Sequence, residues 1–212
     1  MIITYHGGEF FKVQFGDIVL AFNPISKKSS LQQSRFGADV AFVTLLDKDT
    51  NGVENVSRAE RTPFIVSSPG EYEIGGVFVR GFPSISRYGG KERENTIYSV
   101  SLEGMNLCFL GALSGATLSS EITESLGDID ILFVPIGGDG VLTAREAYKF
   151  SITLGPRLII PMHWSGLGEK DSLKVFLKEG GEEGQKSIDK LTVKKKELEN
   201  KEAEIAVLSP VV

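Results

Sequence analysis

The sequence is poor in the side chains that most often build reactive centres. It holds one cysteine, Cys108, and two histidines, His6 and His163, in 212 residues. A single cysteine excludes an intrachain disulfide, and its place in the apolar run LCFLGAL marks it as buried filler rather than a nucleophile. Two imidazoles cannot furnish the nitrogen ligands of a dinuclear metal site, and no second cysteine makes up the deficit. No apolar run approaches the ~20 residues that span a bilayer. The opening MIITYHGGEFF also lacks the basic start and apolar stretch of a signal peptide. No membrane association is expected, and the cytoplasm is the default compartment. Basic residues number 23 against 28 acidic ones, for a net charge of −5. Without a concentrated basic face the chain is a poor nucleic-acid ligand, because phosphate binding relies on clustered Lys and Arg. The one dense charge run, KKKELENKEAE at 194–204, mixes both signs and reads as solvated surface. Nucleotide fingerprints are missing, as is the G-x-S-x-G elbow, which Ser114 in GALSGA resembles only loosely.

What is present is a generous supply of core. A hydrophobic fraction of 41% and 24 glycines suit many short strands separated by turns. Phe11-Lys12-Val13-Gln14-Phe15 alternates, Gly16-Asp17 turns, and Ile18–Phe22 returns, as a hairpin should. Further strands are predicted at Ala38–Leu46, Phe64–Val66, Val77–Val79, Thr96–Leu102, Asn106–Leu110, Asp130–Ile136, Arg157–Pro161 and Glu204–Leu208. Helices are predicted over Ser119–Leu126, from the capping box Thr143–Glu146 to Gly155-Pro156, and over Asp171–Glu179. The sum is a mixed α/β layered fold in a single domain spanning 1–212.

Few residues carry chemistry. His163 follows the buried strand Leu158–Met162, where ligands bind in α/β sheets; a histidine hydrogen-bonded beneath a loop is the other reading. His6, beside Gly7-Gly8 on the first strand, reads as structural. Asp47 and Asp49 in VTLLDKDTNG are close enough to share a hard cation. Equally, Asp49-Thr50-Asn51-Gly52 has the composition of a turn that bonds its own backbone.

The order of segments supplies more. MIITYHGGEFFKV, SSPGEYEIGGVFVRGFP, GGKERENTIYSV, LCFLGAL, ILFVPIGG and LIIPMHW follow one another as in the metallo-β-lactamase superfamily. The chain resembles in particular the branch of Zn-dependent hydrolases similar to the ascorbate-6-phosphate lactonase. That resemblance implies a four-layer αββα sandwich with two mixed β-sheets and a metal site at one edge between them. The family's H-x-H-x-D-H motif falls on VTLLDKDTNG, so its histidine positions are Leu45, Asp47 and Thr50, and only its aspartate, Asp49, is kept. A further ligand histidine corresponds to Ser86 or Arg87, the metal-bridging aspartate to Ala112, and the last histidine to His163.

From this resemblance a protein that has lost most of a dinuclear site is expected, a pseudoenzyme that binds a small molecule or protein partner. No catalytic residue is assigned, and at most one divalent metal ion is expected. The alternative is a metal-dependent hydrolase of esters, lactones or phosphodiesters with a reduced mononuclear site at Asp47, Asp49 and His163. Arg87, Lys91 and Arg93, in the segment that borders the family's cleft, are candidate anion contacts. A homo-oligomer stays open.

Overall fold

The structure is a computed structural model that describes residues 1–58 and 62–211. In chain order its strands are β1 (Ile2–Tyr5), β2 (Phe11–Phe15), β3 (Ile18–Phe22), β4 (Val40–Phe42), β5 (Phe64–Val66), β6 (Gly70–Ile74), β7 (Val77–Ser86), β8 (Arg93–Leu102), β9 (Met105–Phe109), β10 (Ile131–Pro135), β11 (Leu158–Met162), β12 (Leu191–Thr192) and β13 (Glu204–Ile205). Helices α1 (Ser120–Leu126), α2 (Ala144–Leu154), α3 (Ser172–Glu179) and α4 (Lys195–Leu198) lie in the second half. Six strands form one mixed sheet in the order β12-β1-β2-β3-β4-β5, and seven form the other as β13-β11-β10-β9-β8-β7-β6. The predicted class, two mixed β-sheets with helices, is what forms.

Strand periodicity decides which residues meet. Ile3, Tyr5, Phe11, Val13 and Phe22 of the first sheet face Tyr98, Phe109, Ile131, Phe133 and Ile160 of the second. Phe22 stacks on Phe42 with ring centroids 4.5 Å apart, and Phe11 meets Phe133 edge-on at 4.9 Å. Alternate residues of the second sheet, among them Cys108, Leu132, Val134 and Ile159, face outward onto Leu126, Ala147, Phe150 and Phe176 of α1, α2 and α3. These strands are therefore covered on both faces and read as continuous apolar runs. Over the first sheet the outer cover is irregular: Phe10 and Ala21 pack with Ile25, Ala38 and Val56, from the loop 24–39 and a 3-10 turn at Val53–Asn55. Among the described residues no helix is long and apolar enough to cross a membrane.

Local expectations hold where local chemistry decides. Ser119 caps α1 through its side chain, and Thr143 with Glu146 makes the full capping box at α2. Three departures have tertiary causes. The predicted strand 38–46 stops at Phe42, because Thr44 gives its amide to the Asn23 side chain at 2.9 Å and the chain leaves the sheet. An edge strand forms at Gly70–Ile74, where the exposed Glu71 and Glu73 conceal the apolar pattern. The charge run 194–204 is not simply solvated surface. Leu198 is fully buried, and Lys195 Nζ lies 2.6 and 2.8 Å from the two oxygens of the buried Asp130.

Cys108 is fully buried, and burial pushes its thiol up to about 12. It should resist thiol reagents in the native protein and react stoichiometrically once urea unfolds it. Rapid native labelling would contradict its placement under α1 and α2.

Candidate functional site

The loops after β4, β7, β9, β10 and β11 converge at one edge between the sheets. His163 ends β11 with a left-handed backbone, φ 62°, which is uncommon for a residue with a side chain. Its turn lies so close to Gly137 that a methyl group there would sit 2.2 Å from the His163 carbonyl oxygen. The imidazole is 1% exposed, and its Nδ1 lies 2.7 Å from Oε1 of Glu9, which is fully buried. A carboxylate only accepts, so Nδ1–H is the donor. Asn23 donates to Glu9 Oε2 at 2.7 Å and to Thr44 Oγ1 at 2.8 Å. This buried network joins the end of β11 to the loop before β2 and the ends of β3 and β4; it specifies that arrangement because the His163 Nδ1–H, the Glu9 carboxylate and the Asn23 amide are paired there.

Above it sits Tyr88. Its hydroxyl donates to Asp49 Oδ2 at 2.7 Å, and its ring stands edge-on to His163, centroids 5.0 Å apart and planes at 87°. The same ring packs against Leu45, Ala112 and Val141, an isolated apolar cluster. Burial, and then the bond to Asp49, hold the phenol well above the ordinary tyrosine range, so it stays protonated and donates. The other Asp49 oxygen accepts from Ser29. Tyr88 is seated by its own loop: its amide donates to Ser86 Oγ at 3.2 Å, and its carbonyl accepts from Arg93 at 2.7 Å. Gly140, at φ 93°, lets the neighbouring turn approach; a methyl there would lie 2.5 Å from the Arg87 carbonyl oxygen. Ser114, the loose elbow serine, bonds the Gly140 carbonyl and the Arg87 amide and so belongs to this scaffold.

The residues singled out by sequence are distributed around this centre. Asp49 and His163 both touch Tyr88, one through its hydroxyl and one through its ring. Asp47 turns away: Oδ2 pairs with Arg93 at 2.9 Å, and Oδ1 accepts the Asp49 amide at 3.1 Å. The backbone-bonding aspartate of this turn is therefore Asp47 rather than Asp49. Thr50 donates to the Leu45 carbonyl at 2.6 Å. Arg93, read as an anion contact, is committed to Asp47 and to the carbonyls of Leu46 and Tyr88. Arg87 pairs with Glu92 at 3.2 Å on the surface, and Lys91 is exposed. His6 lies elsewhere, bonded through Nδ1 to Ser34 and Val211 and held by burial at about 4, hence neutral.

Comparison with known proteins agrees with this architecture. A family model described as a beta-lactamase superfamily domain matches residues 2–163. The chain belongs to the metallo-β-lactamase superfamily. Within that superfamily, a UPF0173 protein of Pyrococcus furiosus is 31% identical over 103 residues, covering 48% of this chain and 45% of that protein. The chain thus spans less than half the length of this archaeal relative. A UPF0173 metal-dependent hydrolase of Bacillus licheniformis is 23% identical over 197 residues, covering 78% of this chain and 86% of its own. A structure from Thermotoga maritima, assigned to the Zn-dependent hydrolases of the superfamily, superposes with a TM-score of 0.75 at 24% identity, covering 98% of this chain and 97% of that one. The metallo-beta-lactamase fold protein YhfI of Bacillus subtilis gives 0.62 at 9% identity, covering 99% of this chain and 97% of that one, which is a likeness of fold alone.

The metal that these relatives' names imply does not fit the residues at this edge. Both Asp49 oxygens are taken, Asp47 is paired with a guanidinium, and Leu45, Ala112 and Val141 offer no donor atom. His163 Nε2 is buried without a hydrogen-bond partner among the described residues, and its lone pair is a ligand atom still free. Among the described residues no group of three or more His, Cys, Asp or Glu side chains is placed to hold an ion. Reading the sequence missed Glu9, Ser29 and Tyr88. Glu9 had one signal, an acid between a glycine turn and an apolar strand; Tyr88 and Ser29 had none.

Proposed function

We propose that this chain is a superfamily member whose metal centre has been rebuilt as a closed, hydrogen-bonded plug, and that it works by binding a small molecule or a protein partner. The observation that carries this reading is Tyr88. Its phenol occupies Asp49, its ring covers His163, and it packs on the apolar side chains at the former ligand positions Leu45 and Ala112. Hydrolysis by a metal-bound hydroxide needs an open coordination position beside the substrate. A half-buried ring held by Asp49, His163 and the apolar cluster stands in that position. The Bacillus licheniformis relative carries metal-dependent hydrolase in its name, and a shared fold does not by itself transfer the activity.

A reduced mononuclear site at Asp47, Asp49 and His163 has one observation in its favour, the unpartnered Nε2 of His163. It requires Tyr88 to leave Asp49 and Arg93 to leave Asp47. Such a site, rich in carboxylate, would take Mn²⁺ or Mg²⁺ before zinc. Metal analysis separates the two readings. Protein purified without chelator, loaded with Zn²⁺ or Mn²⁺ and passed through gel filtration should retain far less than one ion per chain. It should also show no metal-dependent turnover of ester or phosphodiester substrates. Near-stoichiometric retention with metal-dependent turnover would establish the reduced enzyme instead.

A further inference from the structure

A separate surface carries a charged hollow. Beyond the irregular cover of the first sheet lies a cavity of about 270 Å³ lined by Lys27, Arg35, Phe36, Glu54, Asn55 and Arg58, together with a serine. Three cations and one acid surround it, in a chain whose net charge is −5. Among the described residues none of the three cations makes an ion pair. Glu54 makes no ion-pair contact with them; its Oε1 accepts the Lys27 amide at 2.9 Å and the Ser26 hydroxyl at 3.1 Å, and its charge offsets part of that of Lys27.

The surface is built to keep the charges together. Arg58 lies directly against Gly37, where a methyl group would sit 2.6 Å from its Cδ and Nε. Phe36, which lines the cavity, is held by a stack on Phe10, with centroids 5.5 Å apart and planes at 15°. Asn55 is 1% exposed, and its Nδ2 donates to the Ile25 carbonyl at 2.7 Å, while its Oδ1, an acceptor, has no partner among the described residues. Like charges gathered around one concavity repel each other, and an anion seated among them removes that repulsion. Two guanidinium groups match paired oxygens, and the ammonium adds a point charge.

We infer that this cavity is a binding site for a small phosphate monoester, its dianion held by Lys27, Arg35 and Arg58. Phe36, already stacked on Phe10 and with Lys12 Nζ 5.2 Å from its ring centroid, only borders the organic part. A volume below the ~300–1,000 Å³ of drug-sized sites selects a compact ligand. A polynucleotide is not the fit, because the cations ring one hollow and do not follow a track. The site is distinct from the Tyr88 plug and stands whether or not the non-catalytic reading holds.

Calorimetric titration of the full chain with phenyl phosphate at low salt tests it. Binding is expected, at least several-fold tighter than that of benzoate, and weakened about tenfold or more in R35Q/R58Q, the loss of roughly one charge-assisted hydrogen bond. K170Q/K174Q removes the same charge from two exposed lysines near α3 and should leave the affinity unchanged. The thermal melts of both variants show whether either has lost its fold. No binding, equal affinity for benzoate, or equal losses in the two double variants would overturn the site.

Discussion

Tyr88→Ala is expected to lower the unfolding free energy by about 2–4 kcal/mol, somewhat less than for a fully buried aromatic ring because Tyr88 is half-buried. Two losses combine. The ring leaves Leu45, Ala112 and Val141 without their common contact, and the Asp49 carboxylate loses one of its two hydroxyl donors. Tyr88→Phe separates them, since it keeps the ring and removes only the hydroxyl. It should cost about 1–3 kcal/mol, the range for depriving a buried charged acceptor of its partner. Urea denaturation with an unchanged slope measures both variants, and melting should fall by about 2–4 °C for each kcal/mol in a chain of this size. An alanine variant as stable as the parent would mean that the ring contributes no packing, and the plug would lose its main support.

The second large effect is expected at Glu9. Glu9→Ala should cost about 3–5 kcal/mol, because it strips a partner from a buried pair and leaves the rest desolvated. The groups stranded are the His163 Nδ1–H and the Asn23 amide, both inside the protein. Glu9→Gln, which keeps the shape and one acceptor, should cost about 1–3 kcal/mol. His163→Ala should be costly as well, and the double variant Glu9→Ala/His163→Ala should lose clearly less than the sum, since both remove the same bond. Strict additivity in that cycle would show that the two side chains do not act on each other.

These two positions also show how far the sequence could be read. Residues whose neighbours in space are neighbours along the chain were legible: the β2–β3 hairpin, the Ser119 cap, and the Thr143–Glu146 box that opens α2. That Leu45, Thr50, Ser86 and Ala112 stand where the family resemblance puts ligand residues was read from residue identity alone. The contacts around them were not legible. Tyr88 reaches Asp49 across 39 positions, and Glu9 reaches His163 across 154. No periodicity links residues so far apart.

Arg93 makes the same point from the other side. Counted along the chain it is one of three cations in SRYGGKER, free to meet an anion. Folded, it is the clamp that holds Asp47 and the carbonyl of Tyr88. The sequence by itself determined most strand and helix positions and the scarcity of histidine and cysteine, because apolar periodicity and residue identity are local properties; the two sheets followed from the order of segments shared with the family. Only the tertiary structure decided that a tyrosine bridges Asp49 and His163, that a buried glutamate orients that histidine, and that three cations line one hollow. Those outcomes depend on which loops meet at a sheet edge, and that is settled by the packing of the whole sandwich.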